Sequence, residues 1–356
     1  MGLPELNIKF KQAADTAIKR SGSGICAIII KDNTASNATS DTYSFVSEAD
    51  VVASHFTKDN LDYIKKAFLG HPGRVLVEKI STDGDIEVAL GRLANKVFNY
   101  LACPDATEEE ANTIAEWIIA QRAKKKSFKA VLDYAGDNPG IIHFATGEIK
   151  TTSGATYTAA QYCGRIAGLL CGISVVDTDR ISATYYKLTE VVSIEESEDA
   201  NADIKAGKLI IINDGQAFKL GRAVNSLVNL EEGQKEELKK IRIIETMDLI
   251  ADDIRTIYAE NYVGNSNNYD NKVLFVNEVN QYYKKLAENG LLEEEYDNKA
   301  FISVDKTRVY LSQKGVDVSA MSENEIKTAN TGSQMLMGSN IQIVDASEDL
   351  DMEIAM

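Results

Sequence analysis

Proline, cysteine and histidine are all scarce in this chain of 356 residues. With only 4 prolines, the chain lacks the composition of long extended linkers, so mostly folded structure is expected. The 4 cysteines are scattered and mostly have apolar neighbours, which predicts buried, reduced thiols in a cytosolic product. The 3 histidines belong to no metal-binding spacing, and no cysteine–histidine pattern fits zinc. We therefore expect no metal and no cofactor.

Long apolar runs and excess basic charge are also missing. The longest apolar runs, such as residues 25–30, fall far short of the roughly 20 residues that a membrane helix needs. The N-terminal sequence lacks the apolar core of a secretory signal peptide. A net charge of −16 argues against binding to nucleic acid or anionic membranes, which require a basic surface. Because like-charged subunits repel, any self-association must depend on specific contacts.

No catalytic motif stands out, since the chain has neither a P-loop nor a nucleophile elbow. Gly22, Gly24 and Ala27 match a loose G-x-G-x-x-A spacing, but they precede a predicted strand. A dinucleotide fingerprint instead follows a strand and opens a helix. The acidic pair Asp252 and Asp253 is more typical of a solvated helix face than of acid–base catalysis.

Strands and helices alternate over the first part of the chain. Apolar patterns predict strands at residues 25–31, 74–80, 97–102, 129–135 and 141–145, and helices at residues 60–69, 85–97 and 158–172. A further helix is predicted to be capped by Thr107 and to end in the exposed run 122–126. Thr107 and Glu110 have the spacing of a capping box. Gly164, Gly168 and Gly172 predict that the last of these helices lies close to a sheet. The alternation is typical of βαβ units, so a mainly parallel sheet with helices on its faces is expected.

A predicted hairpin at residues 208–227 is followed by the longest helical pattern, at residues 234–263. Its apolar stripe comprises Leu238, Ile241, Ile244, Met247, Ile250, Ile254 and Ile257. About 30 residues would form a rod of roughly 45 Å. Its first half is basic and its second half is acidic, which suits a contact with another protein. A helix at 269–288 and short strands at 300–304, 308–311 and 341–344 are predicted after it.

Both termini have strand patterns without an obvious partner in the chain. Leu6, Ile8 and Phe10 alternate with polar residues, as do Met352 and Ile354 at the other end. An isolated strand needs a sheet to join, either its own or that of a neighbouring subunit.

Three stretches carry a resemblance to a known family. They are GLPELNIKFKQAADTAIKRSGSGICAIIIKD, INDGQAFKLGRAVNSL and KKIRIIETMDLIADDIRTIYAENYVGNSNNYDNK. Together they resemble the tail sheath proteins of contractile phage tails and of the related R-type bacteriocins. The resemblance covers most of the chain and is more specific in its C-terminal half. The chain is short for the family, which favours a minimal sheath from a bacteriocin or a small phage-like particle.

The resemblance implies an α/β fold with a C-terminal α+β domain. The expected segments are an N-terminal arm at 1–20, an α/β domain at 21–205, a C-terminal sheath domain at 206–340 and a C-terminal arm at 341–356. The arms would exchange strands between subunits through Leu6, Ile8, Phe10, Ile341, Ile343, Met352 and Ile354. The basic half of the long helix would face an acidic inner tube through Lys235, Lys239, Lys240 and Arg242. The alternative, that these cations form a solvated face, stays open.

The resemblance also implies a structural function rather than an enzyme. Subunits would form stacked hexameric rings around a rigid tube, and a metastable extended state would contract without nucleotide. Partners would be further copies of the chain, the inner tube, the baseplate and the tail terminator. The particle would assemble in the bacterial cytoplasm and be released by lysis.

Two alternatives come from other functional classes. One is a cytosolic α/β enzyme that binds a nucleotide near residues 22–27 or 136–140. The other is a tube or baseplate component of the same machine, although tube proteins are usually smaller and all-β.

Overall fold

The computed structural model describes residues 24–35, 41–175 and 180–355, and these divide into two compact units. The α/β unit comprises the residues up to Asp248 together with 345–355, and the helical unit comprises 249–344. The chain therefore leaves the α/β unit after Asp248 and returns to it at Asp345. This division differs from the predicted boundaries at 206 and 341, because the hairpin and the last residues both belong to the α/β unit.

The α/β unit is built on a mainly parallel sheet, as predicted. Its strands are β1 (Ile25–Lys31), β2 (Thr42–Phe45), β3 (Arg74–Ile80), β4 (Tyr100–Ala102), β5 (Lys129–Leu132), β6 (Ile141–Phe144) and β10 (Lys208–Leu209). Their order is β10-β6-β5-β4-β1-β3-β2, and β2 alone runs antiparallel to its neighbour. Smaller sheets comprise β7 (Ile149–Thr151), β8 (Thr156–Tyr157) and β9 (Val191–Ser193), and the hairpin β11 (Ile211–Asn213) with β12 (Phe218–Leu220).

Helices cover both faces of the sheet. They are α1 (Lys58–Phe68), α2 (Ile86–Leu93), α3 (Glu108–Ala123) and α4 (Ala159–Gly172), with a short α5 (Ala200–Lys205) near β10. Ile28 and Ile30 of β1 pack in one apolar cluster with α1 and α4. Ala27 and Ile29 pack in a second cluster with α2 and α3. A strand buried on both faces explains the uninterrupted apolar run that predicted β1.

Of three local predictions for these helices, the capping box is confirmed, whereas one helix end and the packing partner of Gly168 differ from the prediction. The Thr107 hydroxyl accepts from the Glu110 N–H, and the Glu110 carboxylate accepts from the Thr107 N–H, so the predicted capping box is confirmed. The predicted helix 85–97 ends early, at Leu93, and Val97 is 76% exposed rather than internal. Gly168 lies against a neighbouring helix, not a sheet, because an added Cβ would overlap the Ala67 carbonyl group of α1.

Replacing Gly168 with alanine is expected to lower the free energy of unfolding of the α/β unit by about 2 kcal/mol, because backbone atoms of two helices must separate. Gly91→Ala is the matched control, since nothing lies within 4 Å of its added Cβ. The control should be neutral or stabilising by about 0.5–1 kcal/mol. Fluorescence of Trp117, the single tryptophan, reports this unit because its ring stacks on Phe98 and Phe128. Equal effects of the two substitutions would contradict the prediction.

The helical unit contains two long helices and a small sheet. Its elements are α6 (Ile241–Asn261, which begins in the α/β unit), α7 (Tyr269–Glu288), β13 (Lys299–Ile302), α8 (Val304–Gln313), α9 (Glu323–Thr328) and β14 (Met337–Asn340). Two buried tyrosine–carboxylate bonds join the long helices: Tyr282 donates to Asp253 at 2.6 Å, and Tyr262 donates to Glu278 at 2.5 Å. Among the described residues, no helix is long and apolar enough to span a membrane.

Three predictions for this half of the chain were wrong. The long helix begins at Ile241, not near 234, because Lys240 is extended and pairs with Val224. Residues 308–311 lie inside α8, whose N-terminus is capped by the Ser303 hydroxyl. The last strand, predicted at 341–344, is β14 at 337–340, and only Ile343 makes a further β-bridge.

Candidate assembly surfaces

The root of the C-terminal tail is held by basic and hydroxyl side chains of the α/β unit. Lys240 lies 2.5 Å from the carboxylate of Asp345 and 3.2 Å from that of Glu348. Arg222 lies 3.5 Å from Glu348 and also pairs with Asp349. The other Glu348 oxygen accepts a hydrogen bond from the Thr184 hydroxyl at 2.6 Å. Residues 345–349 are therefore fixed by charge as well as by hydrogen bonds.

The electrostatics match this geometry. The Glu348 side chain is 5% exposed, so its charge is largely withdrawn from water. The hydrogen bond with Asp349 raises the pKa of Arg222 above its usual value. Burial alone would lower the pKa of Lys240, but its bonds with Asp345 and Glu348 raise it. The acidic residues of the tail therefore favour the charged forms of both cations.

Beyond this root the tail is exposed. The exposed fractions of Leu350, Met352 and Ile354 are 86%, 63% and 74%. Residues 350–355 form no strand, so the strand predicted around Met352 and Ile354 is not formed within the single chain. Three apolar side chains at alternate positions in the sequence are the pattern of a strand that is buried on one face.

Residues 341–344, predicted as part of the exchangeable arm, pair with their own helical unit. Ile343 bridges Leu292, and the Val344 N–H donates to the Leu291 carbonyl group at 3.0 Å. Ile341 lies between β14 and this bridge, outside any strand. In this structure the C-terminal segment without a partner therefore begins after Asp349 and not at residue 341. The N-terminal candidates Leu6, Ile8 and Phe10 lie outside the described residues.

The small sheet of the helical unit has one unoccupied edge within the described part of the chain. Residues Lys299 and Ile302 of β13 lie opposite Asn340 and Met337 of β14. On its far side, β13 is capped by Asn280, whose amide bonds to both backbone groups of Ala300. No described strand pairs with the far side of β14, although the Lys306 ammonium donates to the Met337 carbonyl group at 2.8 Å. Because a two-stranded sheet is only marginally stable, this edge is a site where a further strand would be stabilising.

The four predicted tube-facing cations do not form one basic surface. Lys235 is exposed, and Lys239 is paired with Glu236 at 2.9 Å. Lys240 forms an ion pair with Asp345 at the root of the C-terminal tail. Arg242 is buried, 4% exposed, and burial lowers its pKa. Arg242 is therefore corrected to an internal residue of the single chain, because its buried guanidinium donates to the Val175 carbonyl group at 3.3 Å.

The described residues of the glycine segments considered for a nucleotide, 24–27 and 136–140, contact neighbouring parts of the protein. An added Cβ at Gly24 would lie 2.7 Å from the Cys171 carbonyl oxygen, so this turn packs against the end of α4. In the loop after β5, the Asp137 carboxylate accepts from the backbone N–H groups of Val228 and Asn229. No group of metal-binding side chains occurs among the described residues.

Sequence reasoning missed a buried ionic cluster where α6 meets the sheet. The ammonium group of Lys129, in β5, lies 3.2 Å from the Asp248 carboxylate and 3.3 Å from the Glu245 carboxylate. Lys129 is 1% exposed. Arg122 makes two bonds to Asp248, at 2.8 and 3.0 Å. The available signal was Lys129 itself, a charged residue at the start of an apolar strand. The acids could not be assigned to it, since Asp248 is 119 positions away.

Comparisons with known proteins point to one family. A family model described as the phage tail sheath C-terminal domain matches residues 234–356. Over 368 aligned residues, the chain is 37% identical to a tail sheath protein of Clostridium phage phiCD119, covering 100% of this chain and 99% of the relative.

Solved structures show the same fold at low identity. A sheath tail protein from Listeria innocua matches with a TM-score of 0.70 and 13% identity, covering 85% of this chain and 93% of that one. The helical sheath of the anti-feeding prophage, in its contracted state, matches with a TM-score of 0.68 and 13% identity, covering 95% and 94%. The predicted fold class, a mixed α/β architecture with a C-terminal α+β part, is confirmed by this likeness.

Proposed function

This chain belongs to the phage tail sheath proteins, and we propose from that premise that it polymerises as stacked hexameric rings around an inner tube. In this proposal the sheath contracts and drives the tube through the envelope of a target cell. The observation that carries it is the 37% identity to a tail sheath protein over the full length of both chains.

Strand exchange between subunits would connect the rings. The exposed segment 350–355 has the alternating apolar pattern of a strand, and residues 6–11 have the same pattern in sequence. The unoccupied edge of β14 offers backbone groups to which such a strand can bond. Because each contact of this kind is head-to-tail, repetition generates a helical polymer and not a closed dimer.

Contraction would need no nucleotide, because the energy is stored in the packing of a metastable extended state. The described residues of the segments considered for nucleotide binding, 24–27 and 136–140, contact other protein groups, which favours a purely structural role over an α/β enzyme. The inner tube, baseplate and terminator proteins are the expected partners, with no nucleic acid and no insertion into a membrane. Assembly would take place in the bacterial cytoplasm, before lysis releases the phage or bacteriocin particle.

The contact with the tube remains a separate proposal. Lys235 is the exposed cation of the predicted set, with Lys239 beside it on the short helical turn before α6. These two residues would face an acidic tube surface, whereas a solvated face would make them dispensable. Substitution of both by glutamine distinguishes these possibilities in co-assembly with the tube protein.

Electron microscopy of the purified chain, expressed alone and together with its tube protein, tests the proposed function. Hollow cylinders with a helical repeat are expected in at least one of the two preparations. A dispersed monomer in both would overturn the proposal. A monomer whose thermal midpoint rises with a nucleotide would instead support the enzyme alternative.

A further inference from the structure

The tail of the α/β unit has two parts with different chemistry. Its root, residues 345–349, has the sequence DASED, and its tip continues as LDMEIAM. Root carboxylates are paired with side chains of the unit, whereas the apolar side chains of the tip are exposed. This change occurs within two positions, between the 5% exposure of the Glu348 side chain and the 86% exposure of Leu350.

The site around Glu348 is built from three separate segments of the unit. Thr184 and Ser182 come from the segment before β9, Arg222 follows β12, and Lys240 precedes α6. The Thr184 hydroxyl accepts from the Ala223 N–H at 2.9 Å, which orients its own proton toward Glu348. Among the described residues, Lys240 forms ion pairs only with Asp345 and Glu348. Together these groups form a binding site for carboxylates, and the acidic segment 345–349, of sequence D-x-x-E-D, occupies it.

We infer that this site anchors the C-terminal arm to its own subunit in the assembled sheath, and that only residues 350–356 exchange between subunits. The inference rests on the proposed function, because it specifies how an exchanged arm is held. Removal of the Glu348 carboxylate, which bridges two cations and a hydroxyl, is unfavourable because the partly buried side chains of Lys240 and Arg222 lose this partner. Leu350, Met352 and Ile354 have no such attachment, so their burial can occur only against another surface.

The anchor limits the reach of the arm. Residues 350–356 span at most about 25 Å when fully extended, at about 3.3–3.6 Å per residue. The acceptor edge of the neighbouring subunit must therefore begin within that distance of Asp349. An arm that started at residue 341 would reach considerably further, so the two alternatives predict different neighbours.

Charge reversal tests the anchor. Glu348→Lys is expected to raise the concentration needed for polymerisation by at least about tenfold, because it places a third cation beside Lys240 and Arg222. Glu232→Lys, an exposed change of equal charge in the same unit, should have no effect. Combining Glu348→Lys with Lys240→Glu should restore polymerisation at least in part. Glu348→Gln, which keeps shape and the hydroxyl bond, should fall between wild type and Glu348→Lys.

Cross-linking separates anchoring to the same chain from anchoring to a neighbour. Tyr185 and Ser347 line one cavity of about 360 Å³, so cysteines placed there can be joined by a short bismaleimide. A link within one chain is expected both in the monomer and in the sheath, and the linked chain should still polymerise. A ladder of linked chains in the sheath, or normal polymerisation of Glu348→Lys, would overturn the inference. Failure of the wild type to polymerise would instead count against the proposed function.

Discussion

A chain that lacks residues 1–11 is expected to fold and stay soluble but to form no sheath. The deletion removes none of the described residues, and β1 begins only at Ile25, so the described strands and the helices on both faces of the sheet are retained. What is lost is the alternation of Leu6, Ile8 and Phe10, which is proposed to add a strand to a neighbour. Circular dichroism and light scattering should report a folded monomer, and electron microscopy should show no cylinders.

A pair of triple variants serves as a sharper control than deletion, because chain length stays constant. Serine at the apolar positions 6, 8 and 10 should abolish polymerisation, since a strand buried on one face loses its apolar contacts. Serine at the intervening positions 7, 9 and 11 should leave polymerisation within about twofold of wild type. Cylinders formed by the first variant, or by the deletion itself, would remove the N-terminal arm from the proposal.

Local patterns predicted the elements whose burial is periodic and whose ends are capped. Helix α7 occupies the predicted residues 269–288, since Asn268 caps its start and Gly290 follows its end with a positive φ. The buried run of β1 is likewise found where predicted, because an apolar strand between two helical layers needs no further information. These features depend on residues close together in sequence.

Features that depend on distant residues were not predicted. The residues before Ile241 continue the apolar period of the helix, but Lys240 pairs with Val224 and becomes extended. The tail anchor joins Thr184 to Glu348 across 164 positions. Neither pairing leaves a periodic signal, and an acidic root such as 345–349 looks like any solvated tail until its cations are located. Arg242, which seemed a surface cation in the sequence, is buried for the same reason.

The ionic cluster at the start of α6 carries the largest expected effect on stability. Asp248→Asn keeps the volume of the side chain but removes the charge that Lys129 and Arg122 share. We expect the free energy of unfolding of the α/β unit to fall by about 3 kcal/mol, because a buried ammonium loses one of its two acids. Glu236→Gln is the control, since this 76% exposed partner of Lys239 should change stability by less than about 1 kcal/mol.

The pH dependence gives the prediction a second readout. Burial alone would raise the pKa of Asp248, but Lys129 and Arg122 lower it below its usual value. The stabilisation that Asp248 contributes is therefore fully present above the pKa of about 3.9 that it has in the unfolded chain. It is lost as pH falls through its lower pKa in the folded protein. Burial alone would lower the pKa of Lys129, but Glu245 and Asp248 raise it. The contribution of Lys129 is therefore lost only as pH rises through a folded value above about 10.4.

Denaturation followed by Trp117 fluorescence should thus show a constant gap between wild type and Asp248→Asn from about pH 5 to pH 9. The gap should close in acid, where Asp248 becomes protonated in both states. A gap below about 1 kcal/mol at neutral pH would mean that Glu245 alone satisfies Lys129. Asp248 and Asp345 are the residues at which the chain leaves and re-enters the α/β unit, and both are ion-paired to that unit. Each pair lies within the α/β unit, so loss of either is expected to lower the stability of that unit itself.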